Sequence, residues 1–313
     1  MSSNNSLEAL SARVIRSTGA WYEIMDSNLN QYSARLRGKF RQDSKEITNP
    51  IAVGDEVLFE RNEDGTAQII EILDRKNFLP RKATHGRRGH QILISNIDYA
   101  LVVVSITQPQ YKTGFIDRFL VSCEAYEIEP IIILNKWDLS EDITTDEIIY
   151  HSNHYKQLGY KVFHTSILKP ETLEPLVNLI TNKVSVFIGP SGVGKTSLLN
   201  HIDPSLEEKT SEISGYSKKG KHTTTFAKLL PLPFGGYLAD TPGIREFGLY
   251  NIEDWELSLY FPEMIEGRTH CKFSTCTHIH EPSCGVIELV DTGLIEPFRY
   301  LSYMNIIESL NDR

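Results

Sequence analysis

The sequence lacks any apolar run long enough to cross a membrane. Stretches such as 130-PIIIL-134 fall far short of the roughly 18–20 residues that a span requires. The start, MSSNNSLEAL, has no basic region leading into an apolar one, so no secretory signal is expected. Cysteine is scarce, four in 313 residues, which excludes a disulfide-built scaffold. Positive charge is in deficit. The 32 Lys+Arg against 41 Asp+Glu give a net charge of −9, which argues against a protein that coats nucleic acid indiscriminately. Internal repeats and low-complexity tracts are also missing. With 40% hydrophobic and 23% charged residues, the chain has ordinary globular composition and room for two or three domains.

The charge that is present is unevenly spread. Residues 1–90 carry 14 Lys+Arg against 12 Asp+Glu, and residues 91–313 carry 18 against 29. A polyanion is therefore expected at the front third or at a local basic patch. Within that third, ARVIRS, AWYEIM, YSARLRGKF, 53-VGDEVLFE-60 and 66-TAQIIEIL-73 read as five short strands, with NEDG at 62–65 as a turn. Such a set predicts a small closed barrel of the oligonucleotide/oligosaccharide-binding (OB) type over 1–79. Barrels of this kind bind nucleic acid or protein, or act as spacers. Residues 80–90, PRKATHGRRGH, read as a basic linker, either solvated or touching a phosphate backbone.

From residue 97 the texture changes. The runs 100-ALVVVSI-106, 131-IIIL-134, 184-VSVFI-188 and 237-YLAD-240 are nearly continuous apolar strands. Helix-like segments at 115–126, 145–158 and 172–182 separate them. Strands without alternation are buried on both faces, so an α/β domain with a helix-flanked parallel sheet is expected over 91–250. Beyond it, helix-like stretches at 253–260 and 296–310 flank a Cys/His cluster in a small module over 251–313.

The strongest motif is 189-GPSGVGKT-196, which follows an apolar strand and opens a helix, as a phosphate-binding loop requires. The loop Gly189, Pro190, Ser191, Gly192, Val193 and Gly194 folds so tightly that several of its N–H groups (Pro190 has none) point inward at phosphates. The helix start, with Ser197, adds its positive dipole end. Lys195 reaches the β- and γ-phosphates, and the Thr196 hydroxyl suits Mg²⁺. In 240-DTPG-243, Asp240 ends a strand where it can hold Mg²⁺ through water, and the Gly243 N–H can meet the γ-phosphate. In 217-SKKGKHTTTF-226, either Thr223 or Thr224 can complete the Mg²⁺ shell.

The base is read by 135-NKWD-138. The Asp138 carboxylate can accept two hydrogen bonds from the N1–H and N2–H₂ edge of guanine. Adenine offers no such pair, and a carboxylate left unpaired in a pocket discriminates strongly. Asn135 can bond N7 and tie the loop, the Lys136 stem can pack on the ring, and Trp137 lies between them and Asp138. Thr165 and Ser166 would place an N–H near the guanine O6.

Three of the four cysteines fall within 271-CKFSTCTHIHEPSC-284. Cys271, Cys276, His278 and Cys284 form C-x₄-C-x-H-x₅-C, a tetrahedral set suited to zinc, and four protein ligands make it structural. His270 and His280 compete for the nitrogen position. Cys123, within a helix-like stretch, reads as a small buried hydrophobe.

The motif order is permuted: the base-reading motif precedes the phosphate loop, and DTPG follows both. A five-strand barrel, a circularly permuted GTPase and this zinc set together resemble the bacterial ribosome small-subunit-dependent GTPase A family. The likeness rests on NKWD, GPSGVGKT, HTTT, DTPG and the Cys/His spacing, and covers about residues 10 to 310. The resemblance implies a multidomain α/β fold: an OB-like barrel, a circularly permuted P-loop GTPase and a small helical zinc module. It implies GTP hydrolysis to GDP stimulated by the small ribosomal subunit, a late maturation role, and rRNA contacts through the barrel and the zinc module. It also implies a monomeric cytoplasmic protein that uses Mg²⁺ with GTP and one structural Zn²⁺.

Many GTPases orient the attacking water with a Gln just after the D-x-x-G glycine. That position is Ile244, which predicts slow intrinsic turnover, with His222 as the candidate substitute. Two other readings fit the same motifs: an RNA-binding adaptor that uses GTP only as a conformational switch, and a P-loop ATPase or kinase acting on a small molecule.

Overall fold

The computed structural model describes residues 9–37, 50–82, 90–141, 145–206, 227–240, 249 and 252–311. Two compact units emerge. One comprises Met1–Tyr99, Leu179–Phe187 and Asp203–Ile244, the other Ala100–Asn178, Ile188–Ile202 and Arg245–Arg313. Among the described residues, no helix is long and apolar enough to cross a membrane.

The first unit contains the expected five-strand barrel. Its strands are β1 (Leu10–Ser17), β2 (Tyr22–Met25), β3 (Gln31–Leu36), β4 (Glu56–Arg61) and β5 (Ala67–Ile72). Antiparallel pairs β1–β2, β2–β3, β4–β5 and β1–β4, with the parallel pair β3–β5, close the ring. Alternation puts Val14, Ile24, Ala34, Val57, Phe59 and Ile69 inside, all fully buried. A bulge between Val14 and Arg16 bends β1. Past the bend, Arg16 pairs with Lys228 of β12 (Lys228–Pro231). Strand β12 runs antiparallel to β13 (Tyr237–Asp240), which is parallel to β11 (Val184–Ile188).

Two features of this unit are not foreshadowed by the pattern of the sequence. Strand β12 is one. The other is a hairpin of β6 (Phe78–Lys82) and β7 (His90–Ser95), which takes up both ends of the stretch read as a basic linker. The run of basic residues argues for a connection; β6 instead runs into it, and Pro80 sits where the hairpin's register shifts between Leu79 and Pro80. Residues 83–89 lie outside the described residues.

The hairpin is locked to the barrel through Asp55, which is fully buried. Arg75 donates to it from Nε and Nη2, both at 2.6 Å, Ser95 Oγ donates at 2.6 Å, and the Ala52 N–H donates at 2.8 Å. Gly54, at φ +95°, permits this approach, since a Cβ there would lie 2.2 Å from the Ser95 carbonyl oxygen.

In the second unit, β10 (Lys161–Thr165), β9 (Glu129–Asn135) and β8 (Tyr99–Ser105) lie side by side, β10 parallel to β9. Helices α1 (Thr113–Ala125), α2 (Asp146–Gln157), α3 (Glu174–Ile180) and α4 (Lys195–Ile202) match expected segments to within a few residues. The C-terminal part adds α5 (Ile265–Thr269), α6 (Gly285–Asp291) and α7 (Pro297–Asn311). The helix expected at 253–260 is instead a turn ending in one 3₁₀ stretch, Leu257–Tyr260. Pro262 forces Phe261 into extended geometry (φ −117°, ψ 98°), which stops any helix there.

This C-terminal part shares a core with α1: Val121 packs with Leu257, Phe261, Met264, Tyr303 and Ile306. At its centre lies Arg299, fully buried. It donates to Asp117 of α1 at 2.5 Å and to Glu263 at 2.6 Å, and its guanidinium lies 4.7 Å from the Phe261 ring centroid. Tyr155 of α2 donates to the same Asp117 oxygen at 2.6 Å. Burial alone would lower the Arg299 pKa, but the two carboxylates outweigh it and raise it. Cys123 is buried, and burial pushes its thiol well up, which fits an inert hydrophobe.

Replacing Asp55 with Ala leaves the Arg75 cation at the hairpin without its carboxylate. Breaking such a pair costs about 3–5 kcal/mol when fully buried. Arg75 keeps 19% side-chain exposure, so the low end, about 3 kcal/mol, is expected. Urea denaturation of Asp55→Ala checks this; a midpoint equal to the parent's would contradict the lock.

Candidate active site and metal centre

The phosphate loop follows from its glycines. Gly189 (φ +156°) passes so close to β8 that a Cβ would meet the Val103 carbonyl oxygen at 2.1 Å. Gly194 (φ +92°) faces Asn135, whose Nδ2 would lie 2.5 Å from an added Cβ. Helix α4 begins at Lys195, so its unpaired N–H groups and positive dipole end open onto the loop. Lys195 Nζ donates back to the carbonyls of Gly189 and Pro190, both at 2.7 Å, and partial burial lowers its pKa. Ser191, Thr196 and Ser197 are exposed, whereas Val193 is buried.

The NKWD segment begins on the last residue of β9. Asn135 is buried; its Nδ2 donates to the Val193 carbonyl at 2.9 Å, and its Oδ1 accepts from Thr165 Oγ1 at 3.0 Å. Lys136 takes up a left-handed conformation (φ +62°), and its Nζ donates to the Gln108 carbonyl at 2.5 Å. Ser166 Oγ donates to Asp138 Oδ1, fixing one carboxylate oxygen. Thr165 and Ser166 are both buried. The base-reading and phosphate-binding motifs, 50 residues apart in the chain, thus meet at one side chain.

Some neighbours of this site carry no signal in the spacing of the sequence. His164 stacks on Trp137 at 3.8 Å between centroids, and its Nε2 lies 3.1 Å from Ser152 Oγ of α2. Burial, aided by Lys156, pushes the His164 imidazole down to about 4, so it is neutral near pH 7. The Gln108 carbonyl is a backbone group that any residue could supply. Asp240 ends β13, as expected. His222, Thr223, Thr224, Gly243 and Ile244 lie outside the described residues.

The second constellation brings Cys271, Cys276, His278 and Cys284 together, with donor atoms all within 4.8 Å of one another. Sγ of Cys271 and Cys284 are 3.8 Å apart, and His278 Nδ1 lies 3.5 and 3.3 Å from those sulfurs. Tetrahedral zinc, with bonds of about 2.3 Å to sulfur and about 2.0–2.1 Å to nitrogen, requires sulfur–sulfur edges of about 3.8 Å and sulfur–nitrogen edges of about 3.6 Å. The donor set therefore fits the ion. Of the three candidate histidines, His278 is the buried one, while His270 and His280 are exposed. Burial holds the His278 imidazole down at about 4, in the neutral form that ligates metal.

The ligand loop is held before any metal enters. Burial alone would raise the Glu281 carboxyl, but hydrogen bonds from the Thr277 hydroxyl and N–H and from the Ile279 N–H hold it down at about 2. Tyr300 and Tyr303 of α7 donate to the carbonyls of His278 and Thr277, each at 2.7 Å. These bonds keep His278 at φ +58°, a conformation costly for a side-chain-bearing residue.

Gly194→Ala should push its methyl into Asn135 at a left-handed backbone position. Strain of about 1–3 kcal/mol in the loop is expected to weaken guanine-nucleotide affinity about tenfold or more, read by titration with a fluorescent GTP analogue. Unchanged affinity would separate Asn135 from the loop's function.

Comparison with known proteins agrees with this arrangement. The RsgA GTPase family matches residues 72–250, and the RsgA N-terminal domain matches residues 12–69. A protein of Bacteroides fragilis named small ribosomal subunit biogenesis GTPase RsgA is 41% identical over 298 residues, covering 94% of this chain and 95% of its own. Its namesake in Flavobacterium psychrophilum is also 41% identical, covering 94% and 91%. The crystal structure of YjeQ from Thermotoga maritima superposes with a TM-score of 0.80 at 33% identity, covering 98% of this chain and all of that one. That of YloQ, described as a circularly permuted GTPase, gives 0.77 at 31%, covering 100% and 99%. The chain belongs to the RsgA family of circularly permuted GTPases.

Proposed function

We propose that this chain binds GTP with Mg²⁺ and hydrolyses it to GDP in response to the small ribosomal subunit, serving that subunit's late maturation. The observation that supports the site is the Asn135 bond to the Val193 carbonyl, which ties the segment carrying Asp138 to the glycine-rich loop. Asp138, with one oxygen held by Ser166, would accept the N1–H and N2–H₂ edge of the base. Gly189, Ser191, Gly192, Val193 and Gly194 would wrap the phosphates with backbone N–H groups, and Pro190, which has none, would shape the loop between them. Lys195 would exchange its bonds to the Gly189 and Pro190 carbonyls for β- and γ-phosphate oxygens. The Thr196 hydroxyl is exposed at the first turn of α4; by the sequence reading it would hold Mg²⁺, as would Asp240 and one of Thr223 and Thr224. When bound, the ion supplies charge neutralisation between the β- and γ-phosphates.

Ile244 stands where a water-orienting Gln is common, so turnover of the isolated protein should be slow. His222, beside the switch threonines, is our candidate for that duty. The division of labour follows the sequence reading, barrel 1–79, GTPase 91–250 and a structural zinc module 251–313, except that both ends of the basic stretch 80–90 belong to the β6–β7 hairpin and not to a free linker. The barrel and the zinc module would carry the rRNA contacts. The relatives' name, small ribosomal subunit biogenesis GTPase, supports this partner; the monomeric state and the cytoplasmic location belong to the proposal through the family resemblance alone.

Multiple-turnover GTP hydrolysis with and without purified small subunits tests the reading. Strong stimulation by the subunits is expected. GTP binding without turnover in either case would point to an adaptor, and equal use of ATP would overturn the base assignment. Asp138→Asn should weaken GTP about 100-fold, by the logic of an unpaired polar edge, and favour xanthosine triphosphate. Nucleotide competition reads this out, and unchanged GTP affinity would remove Asp138 from base recognition.

A further inference from the structure

The nitrogen that faces the three sulfurs is Nδ1 of His278, and its other nitrogen has a partner of its own. Ser258, fully buried in the Leu257–Tyr260 turn, holds its Oγ 3.0 Å from His278 Nε2. The same oxygen accepts an N–H from Arg268 Nη1, which also donates to the Trp255 carbonyl at 2.8 Å. Ser258's own proton is directed at that carbonyl, 3.4 Å away. A guanidinium only donates, and a hydroxyl has two lone pairs and one proton. With Arg268 on one lone pair and the proton able to reach Trp255, the other lone pair is placed to accept Nε2–H. This arrangement favours the tautomer with the proton on Nε2, which leaves the Nδ1 lone pair facing Cys271 and Cys284.

We propose that Ser258 is the positioning residue of the metal centre. It fixes His278 as an Nδ1 ligand and is itself aimed by Arg268. The inference rests on the reading of the four-residue cluster as a zinc site and deepens it. Partners of this kind set the ring orientation and the basicity of a metal-bound histidine. Ser258 lies twenty residues from His278 in sequence, outside the Cys/His spacing, and belongs to the segment that leads from the DTPG region into the module.

The test uses the full chain. Zinc affinity is measured by competition with a chromophoric chelator, with folding checked by circular dichroism. Ser258→Ala should bind zinc about 10–100-fold more weakly, and Ser258→Thr, which keeps the hydroxyl, should restore most of the loss. A folded Ser258→Ala with the parent's affinity overturns the proposal. The parent protein loaded with cadmium-113 and labelled with nitrogen-15 gives a second measurement independent of any variant. Coupling of the metal to Nδ1 with a protonated Nε2 is expected, and coupling to Nε2 overturns the assignment. A parent that binds neither zinc nor cadmium would instead sink the metal centre itself.

Discussion

The nucleotide site depends on one buried carboxamide. Asn135 donates to the backbone of the phosphate loop at Val193 and accepts from Thr165, while Gly194 leaves the space it occupies. Donor and acceptor ends of the amide are both used, so the side chain cannot rotate without leaving a buried polar group unpaired, at a cost of about 1–3 kcal/mol. Three segments from different parts of the chain are thereby pinned together: the end of β9, the end of β10 and the loop before α4. In a permuted chain this pin matters particularly. Base-reading and phosphate-binding motifs come in reversed order, and a side-chain bond is indifferent to which of them is synthesised first.

A second constraint fixes the C-terminal module against the helices of the same unit. Arg299 brings a cation into a fully buried position between α1 and the 262–264 turn, and Asp117 and Glu263 neutralise it. Buried charges of this kind are weak evidence of net stability, because desolvation offsets most of the attraction. Their effect is geometric. A guanidinium with fixed donor directions admits few arrangements of α7 over α1, and Tyr155 adds α2 to the same joint. The Cys/His cluster packs into this same core, where Tyr300 and Tyr303 of the same helix hold its loop carbonyls. One helix thus touches both the ligand loop and the GTPase helices, giving a continuous packed route between them.

Much of this was legible in the chain itself. The barrel strands show as alternation, the sheet strands as unbroken apolar runs, and the loop glycines and Cys/His set as spacing. The failures have physical causes. Strand β12 is only four residues long, and the β6–β7 hairpin encloses a stretch whose basic residues read as a linker, so neither shows the clear pattern that marks the other strands. The helix expected at 253–260 has a suitable composition, but Pro262 and the burial of Ser258 against His278 turn it into a single 3₁₀ stretch. His164 and Gln108 were invisible because one acts through ring stacking and the other through a carbonyl that every residue carries.

The sequence by itself determined which chemistry is possible: a triphosphate cradle, a carboxylate for guanine and four soft ligands for zinc. These depend on residue type and short spacing, which local geometry converts directly into loops. Tertiary structure alone decided which of several candidates serves. It selected His278 over His270 and His280 by burying it, its Nδ1 over Nε2 through Ser258, and Asn135 as a link to the phosphate loop. Such choices turn on contacts between segments tens of residues apart, and burial and hydrogen-bond partners exist only once the chain has folded around them.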